Sequence, residues 1–228
     1  MESSGVQIGR RQDIQYLRAV AVILVVLYHL PARWNLEGGY LGVDIFFVIS
    51  GYVITKSLIA GNHQSSGLLG TYYSFMRRRV RRLVPPLTSA IMGGLALTFL
   101  FAPVSQFRGV LDTSWFSATF TGNFYFVRHF DTYWNPEILR NPLLHLWSLG
   151  VEFQVYLLWP LLVTKRQDRL SVRRFVLVGA TIFSFALFIY FLVFARTDLL
   201  GMATKGIAFY SPVTRLWQLG LGGVVYLY

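Results

Sequence analysis

The sequence predicts an all-α protein, a polytopic transmembrane helical bundle of about six spans with a cytoplasmic N-terminus. Three observations lead there. The 228-residue chain is 54% hydrophobic and 17% aromatic. Only 14% of its residues are charged, whereas soluble domains carry about a quarter. The charges are also gathered at the ends of long apolar runs rather than scattered. A soluble domain of this length cannot hide so much apolar surface, and a disordered chain would be poor in aromatics. Cysteine is absent, which excludes disulfides, thiolate metal sites and a Cys nucleophile.

Residues 1–12 read as a cytoplasmic tail carrying Arg10 and Arg11, and residues 13–228 as one membrane domain. The first span is the run Tyr16–Leu30, extended down to Asp13. Pro31-Ala32-Arg33 offers no small-residue cleavage pattern and more spans follow, so the run is a retained helix rather than a signal peptide. Tyr40–Ala60 is the second span, apolar apart from Asp44, Ser50, Thr55, Lys56 and Ser57. Leu83–Phe101 is uncharged and follows Arg77, Arg78, Arg79, Arg81 and Arg82, which mark a cytoplasmic helix start. Trp115–Val127 is too short to span and is interrupted by Asn123; it reads as a loop or re-entrant piece. Leu143–Val163 holds only His145 and Glu152 as ionisable side chains. Phe175–Ala195 is uncharged, and Ser211–Tyr228 carries only Arg215. These runs approach or meet the length of about 20 apolar residues that a crossing requires.

The net charge of +11 now has an address. The loops and helix ends on the N-terminal side collect fourteen Lys or Arg against three acids, and the opposite side six against five. Positive loops stay inside, so the N-terminus is cytoplasmic. Basic residues placed at helix ends, without a nucleic-acid-binding module, give no basis for a nucleic-acid partner. Membrane lipids are the partner that this pattern implies.

Ionisable residues within spans are costly and therefore functional candidates. Arg18 and His29 lie eleven positions apart, nearly on one helix face and about 16 Å from each other. Asp44 enters the second helix at a depth similar to His29, and an imidazole beside a carboxylate is how a general base is oriented. Singly, Arg18 also reads as a snorkelling residue, His29 as an interfacial one and Asp44 as a helix cap. The spacing alone does not separate a catalytic pair from a proton relay. His145, Ser148, Glu152 and Tyr156 form one polar stripe on an apolar helix, and Glu152 near mid-membrane needs a partner. The five arginines exceed what orientation needs. Guanidinium planes bind phosphates bidentately, which suits a phosphorylated cytosolic donor.

Several blocks resemble the membrane acyltransferase-3 family. Arg18 followed by His29, after Asp13-Ile-Gln-Tyr-Leu, is similar to its opening signature. Gly39-Tyr-Leu-Gly-Val-Asp44-Ile-Phe-Phe-Val-Ile-Ser50-Gly51-Tyr52 resembles its second motif. Arg78-Arg79-Val-Arg81-Arg82-Leu-Val-Pro85 resembles its cytoplasmic arginine motif, and His145 through Pro160 its third strong block. Ser211-Pro-Val-Thr-Arg215-Leu-Trp-Gln-Leu-Gly220 is similar to a later helix. Two positions depart from the pattern: Gln218 and Phe153 stand where many members have Glu. The family domain continues through several further helices, so the domain is expected to be incomplete at its C-terminus.

The resemblance implies an O-acyltransferase of a bacterial cytoplasmic membrane. It would move an acyl group, commonly acetyl, from cytosolic acyl-coenzyme A to a hydroxyl of an extracytoplasmic saccharide or lipid-linked glycan. His29, oriented by Asp44, would act as base or brief acyl acceptor. Glu152 would bind the acceptor or balance an arginine, and Ser148 and Tyr156 would contact substrate. Arg79, Arg82 and Arg18 would hold the donor phosphates, and metal is not required. Two other readings stay open: a transporter using the intramembrane Arg, His, Asp and Glu as a relay, and an inactive remnant.

Overall fold

The computed structural model describes residues 12–30, 36–59, 67–129, 139–163, 170–194 and 204–228. The described residues are all-α, without a strand. In chain order the helices are α1 (Gln12–Tyr28), α2 (Leu41–Ile59, led in by a 3-10 turn at Glu37–Tyr40) and α3 (Gly67–Phe101). Then follow α4 (Val104–Ala118), α5 (Gly122–His129), α6 (Leu146–Val163) and α7 (Leu170–Ile189, continued as a π turn through Phe194). Last come α8 (Thr204–Tyr210) and α9 (Pro212–Leu227). The expected tail, apart from Gln12, lies outside the described residues, as do Lys165, Arg166 and Arg169.

Four helical stretches are long and apolar enough to cross a membrane: Glu37–Ile59, Leu69–Phe101, Leu146–Val163 and Leu170–Phe194. The first and last expected spans form helices of 17 and 16 residues that pack beside these four. Asp13 lies in the first turn of α1, where the helix dipole favours an acid. Ser211 caps α9 by accepting from Val213 N–H at 3.3 Å, and Pro212 follows it in the first turn.

One expected boundary moves. The third helix starts at Gly67, not at the arginine cluster, and runs unbroken through Pro85 and Pro86. The cluster therefore lies within a helix, and one of its five arginines, Arg79, turns inward while the other four are exposed. The stretch Trp115–Val127 is helical rather than a loop. It is the end of α4 and most of α5, parted by a reversal at Thr119–Thr121 where Phe120 adopts φ 57°. Asn123 is buried in α5 because its amide exchanges hydrogen bonds with Gln154 of α6 at 2.8 and 3.2 Å. Gln154 also donates to Phe120 O (2.7 Å) and Asn123 to Tyr210 O (3.2 Å), so neither amide is left wanting.

At the centre α2, α6 and α9 run side by side in one direction. Phe47 meets Trp147, Ser50 meets Glu152 and Thr55 meets Trp159, so the numbers rise together along α2 and α6. Asp44 meets Arg215 and Thr55 lies against Gly223, so α9 follows the same sense. With the N-terminus inside, all three descend from the outer to the inner face. α1 and α7 pack outside them, and most of their apolar side chains are exposed, the surface that lipid covers.

The α2–α9 crossing is a backbone contact. A Cβ at Gly51 would stand 1.9 Å from Leu219 O, and one at Gly222 would stand 1.8 Å from Val48 O. Both obstacles are main-chain atoms, so neither can rotate away. Gly222→Ala is therefore expected to separate the helices and cost about 1–3 kcal/mol, the usual range for overpacking. Measured in detergent on the full-length protein, its melting midpoint should fall by several degrees. Gly93→Ala, whose Cβ meets nothing within 4 Å, should leave the midpoint unchanged.

Candidate active site

Two polar layers cross the bundle, about 9 Å apart along α2 from Asp44 to Ser50. The deeper one centres on Glu152, which is 3% exposed. Its Oε1 accepts from Ser50 Oγ at 2.5 Å and from the Tyr156 hydroxyl one turn below. The Arg79 guanidinium, 7% exposed, lies 5.4 Å from the Tyr156 ring and 5.1 Å from the Phe75 ring. Such desolvated cation–π contacts are worth about 2 kcal/mol. Arg18 sits 5.9 Å from the Phe46 ring, and Arg18, Arg79 and Arg82 all lie within electrostatic reach of one another. Glu152 and Tyr156 fall within the same range of Arg18 and Arg79. The buried Nε atoms of Arg18 and Arg79 have no hydrogen-bond partner among the described residues. Arg18 and Arg79 within reach of one carboxylate, with the exposed Arg82 beside them, leave this layer with excess positive charge and unused donors, suited to an anionic ligand.

The outer layer is an ion pair. Arg215 Nη1 donates to Asp44 Oδ1 at 3.1 Å, and Gln218 Nε2 donates to the same oxygen at 2.6 Å. Arg215 Nε donates to Phe209 O at 2.7 Å, and the guanidinium is packed against the Phe209, Phe188 and Trp147 rings at 4.3, 5.6 and 5.7 Å. A cation so buried needs this whole enclosure: the carboxylate, a carbonyl and aromatic faces.

His29 lies at the outer end of α1, exposed, with Nδ1 2.7 Å from Val25 O. A carbonyl only accepts, so Nδ1 carries the proton and Nε2 of the neutral ring keeps its lone pair. The edge of the Tyr28 ring lies 5.2 Å away. His145, in the turn before α6, is close enough to feel His29. The protein around the His145 ring lowers its pKa, and the neighbouring imidazole acts in the same direction.

Arg18, Arg79, Arg82, Glu152 and Tyr156 come together in one layer. The expected His29–Asp44 pair does not form: Asp44 is held by Arg215 and Gln218, and the backbone carbonyl of Val25 orients His29 instead. Ser148 stands apart from Glu152, its hydroxyl donating to His145 O at 3.0 Å. Ser50, Arg215 and Gln218 join the two layers without a role assigned from the sequence, where Gln218 stood out only as a departure from the family pattern. A signal existed for Arg215, as the only charge in an apolar run of 18 residues. Among the described residues no group of three or more His, Asp or Glu side chains is placed to hold a metal ion.

Comparison with known proteins adds three relatives. The chain is 39% identical over 161 residues to the O-acetyltransferase OatA of Staphylococcus aureus (strain NCTC 8325), covering 70% of this chain and 26% of that protein. It is 40% identical over 150 residues to the peptidoglycan O-acetyltransferase OatA of Listeria monocytogenes, covering 65% and 23%. It is 38% identical over 151 residues to the putative peptidoglycan O-acetyltransferase YrhL of Bacillus subtilis, covering 64% and 22%. The chain thus spans about a quarter of the length of these relatives. No solved structure matches it. The model of the acyltransferase-3 family, described as an acyltransferase domain, matches residues 11–228, and the chain therefore belongs to that family.

Proposed function

We propose that this chain performs an O-acyl transfer across a bacterial cytoplasmic membrane. The acyl group, acetyl in the first instance, passes from cytosolic acyl-coenzyme A to a hydroxyl of an extracytoplasmic glycan. The names of two relatives point to peptidoglycan as that glycan. One observation carries the reading: a single helix, α1, bears Arg18 in the cation-rich inner layer and His29, its Nδ1 held by Val25 O, at its outer end. The two side chains are about 16 Å apart along the helix. An extended donor arm anchored by its phosphates at one end would bring its thioester toward the other.

The chemistry follows from these placements. Arg79, Arg82 and Arg18 receive the donor phosphates, and Glu152 with Tyr156 and Ser50 keeps Arg79 in place from within. His29 Nε2 takes the proton from the acceptor hydroxyl as its oxygen attacks the thioester carbonyl. The carbon–sulfur bond then breaks, and the thiolate leaves and recovers a proton. The same nitrogen could instead carry the acyl group for one step, with the acceptor oxygen displacing it. Either route gives one ester and one free thiol.

His29→Ala in the full-length protein is expected to lower acyl transfer in membrane preparations by about 10²–10⁴-fold, the span of general-base effects. Unchanged transfer would overturn the role. Arg79→Lys keeps the charge but loses the planar stacking between Phe75 and Tyr156. Its donor KM should rise by about tenfold while the acceptor KM stays put, because the change removes a phosphate contact on the inner side only. An equal rise in both would show a general loss of structure.

A further inference from the structure

A cavity of about 350 Å³ lies at the outer end of the bundle and shares no residue with either polar layer. Ser105 and Gln106, in the first turn of α4, form one side of it. Tyr125 of α5 forms the back, and Arg140 and Asn141, just before α6, form the other side. We propose that this cavity binds the phosphate group of an outer-leaflet phospholipid, with the headgroup inside and the acyl chains outside. The proposal goes beyond the acyl-transfer reading and does not depend on it.

The lining sets the charge of the ligand. Arg140 is the one charged residue in it. Its guanidinium makes no hydrogen bond or ion pair among the described residues, and the Ser105 hydroxyl and Gln106 amide are equally unengaged. Asn141, by contrast, is fully used. Its Nδ2 donates to Thr113 Oγ1 at 2.8 Å and its Oδ1 accepts from Leu143 N–H at 2.9 Å. Asn141 thus fixes the wall, and Arg140 beside it is left to face a ligand. The Tyr125 ring is held against Phe116 and His129, at 5.2 and 4.3 Å. A planar cation with neutral donors opposite it suits a phosphate, whose oxygens take two parallel guanidinium bonds. The nearby acid, Asp112, acts on the Tyr125 hydroxyl but does not line the cavity. Arg108, four positions earlier on the exposed side of α4, offsets it.

The surroundings set the source of that phosphate. The cavity opens beside Phe101 and Val104, which are 80% and 91% exposed. Leu111 and Trp115 are exposed as well, seven and eleven positions after Val104, on one face of α4. Acyl chains cover such a stripe, while headgroups lie level with the helix ends. Free phosphate would engage Arg140 and leave the stripe bare. An acyl chain drawn inside would strip water from Arg140 and Gln106 without replacing it. The volume is near the lower end of small-molecule sites, about 300–1,000 Å³, which suits a headgroup. The excess of positive loops acts at the inner face; this site is at the other. A headgroup seated there would tie the base of α4 to the turn that leads into α6.

The test uses full-length protein, delipidated in maltoside detergent, without acyl donor or glycan. Lipid retention is titrated by native mass spectrometry with dioleoyl-phosphatidylglycerol, with dioleoylglycerol, which has the chains but no phosphate, and with soluble glycerol 3-phosphate. Arginines at the inner face also attract anionic lipid, so the readout is the one lipid whose binding follows Arg140. That lipid should bind at least tenfold tighter than either dioleoylglycerol or glycerol 3-phosphate. Arg140→Glu and Gln106→Glu place a negative charge on opposite walls, and each should weaken it at least tenfold. Lys205→Glu, exposed on α8 and outside the cavity, should change nothing. Retention indifferent to either wall variant, or lost equally with Lys205→Glu, would overturn the site. Glycerol 3-phosphate bound as tightly as the lipid would overturn the lipid as its occupant.

Discussion

The backbone contact between α2 and α9 is the constraint on which the rest of the structure depends. Lipid tails are as apolar as leucine, so helices in a membrane gain little from hydrophobicity when they associate. They hold together where small residues let main chains touch and where polar groups would otherwise face hydrocarbon. Gly51 and Gly222 provide the first, and Asp44 with Arg215 and Gln218 the second. The two fix the same register. Arg215 is placed on Asp44 because Gly222, two turns below it, is pressed on Val48. From α9 the arrangement spreads outward. Ser184 of α7 donates to Val213 O and accepts from Trp217 N–H, and Gly223 leaves room for Thr55, Leu177 and Trp159.

The buried polar groups fall into two kinds. Asn123 with Gln154, Thr55 with Trp159, and Ser184 with α9 are closed sets, each hydrogen-bonded to its neighbours. Such sets fix register and orientation, since slipping a helix by one residue would strand an amide or hydroxyl in a low-dielectric interior. The Glu152 and Asp44 layers are open. They retain the Nε atoms of Arg18 and Arg79 and the Oε1 of Gln218 without partners. An unmet buried polar group costs about 1–3 kcal/mol, and both layers carry that cost where the chain's charges converge. Ser117 Oγ, Arg173 Nε and Trp217 Nε1 also lack partners among the described residues, so the two layers are set apart by the carboxylates and guanidiniums gathered there and not by unmet atoms alone.

The sequence makes some of this legible and hides the rest for a physical reason. Spans, the polar stripe of α6 and the arginine cluster of α3 follow from patterns within single helices, so they can be read locally. Glu152 and Tyr156 share a face because they are four residues apart. The partner of Asp44 is 171 positions away, on a helix whose placement depends on glycine packing. No local pattern reports that, and an imidazole at matching depth is a natural but mistaken choice. The start of α3 was obscured for another reason. Arginines usually mark helix ends at a membrane face, yet here the helix extends beyond that face, which is what allows Arg79 to turn inward. Gln218 in place of an acid also has a structural sense. Its amide donates to Asp44 where a second carboxylate would repel it.

The helix that carries both Arg18 and His29 is the one least embedded in the bundle. Ala21 is the sole buried residue of α1, and the backbone there receives Gly42, whose Cβ would stand 2.3 Å from Ala21 O. Gly39 makes the same approach to Leu24 O at 2.2 Å. Gly39 of the 3-10 turn and Gly42 of α2 therefore position α1, while its other flank faces lipid. Because both notches grip the middle and outer part of one rigid rod, Arg18 and His29 cannot be moved independently. Any tilt of α1 that moved Arg18 would also swing the imidazole at the far end. A helix held along one edge thus couples Arg18 in the inner layer to the imidazole at its outer end, without a relay of side chains through the core.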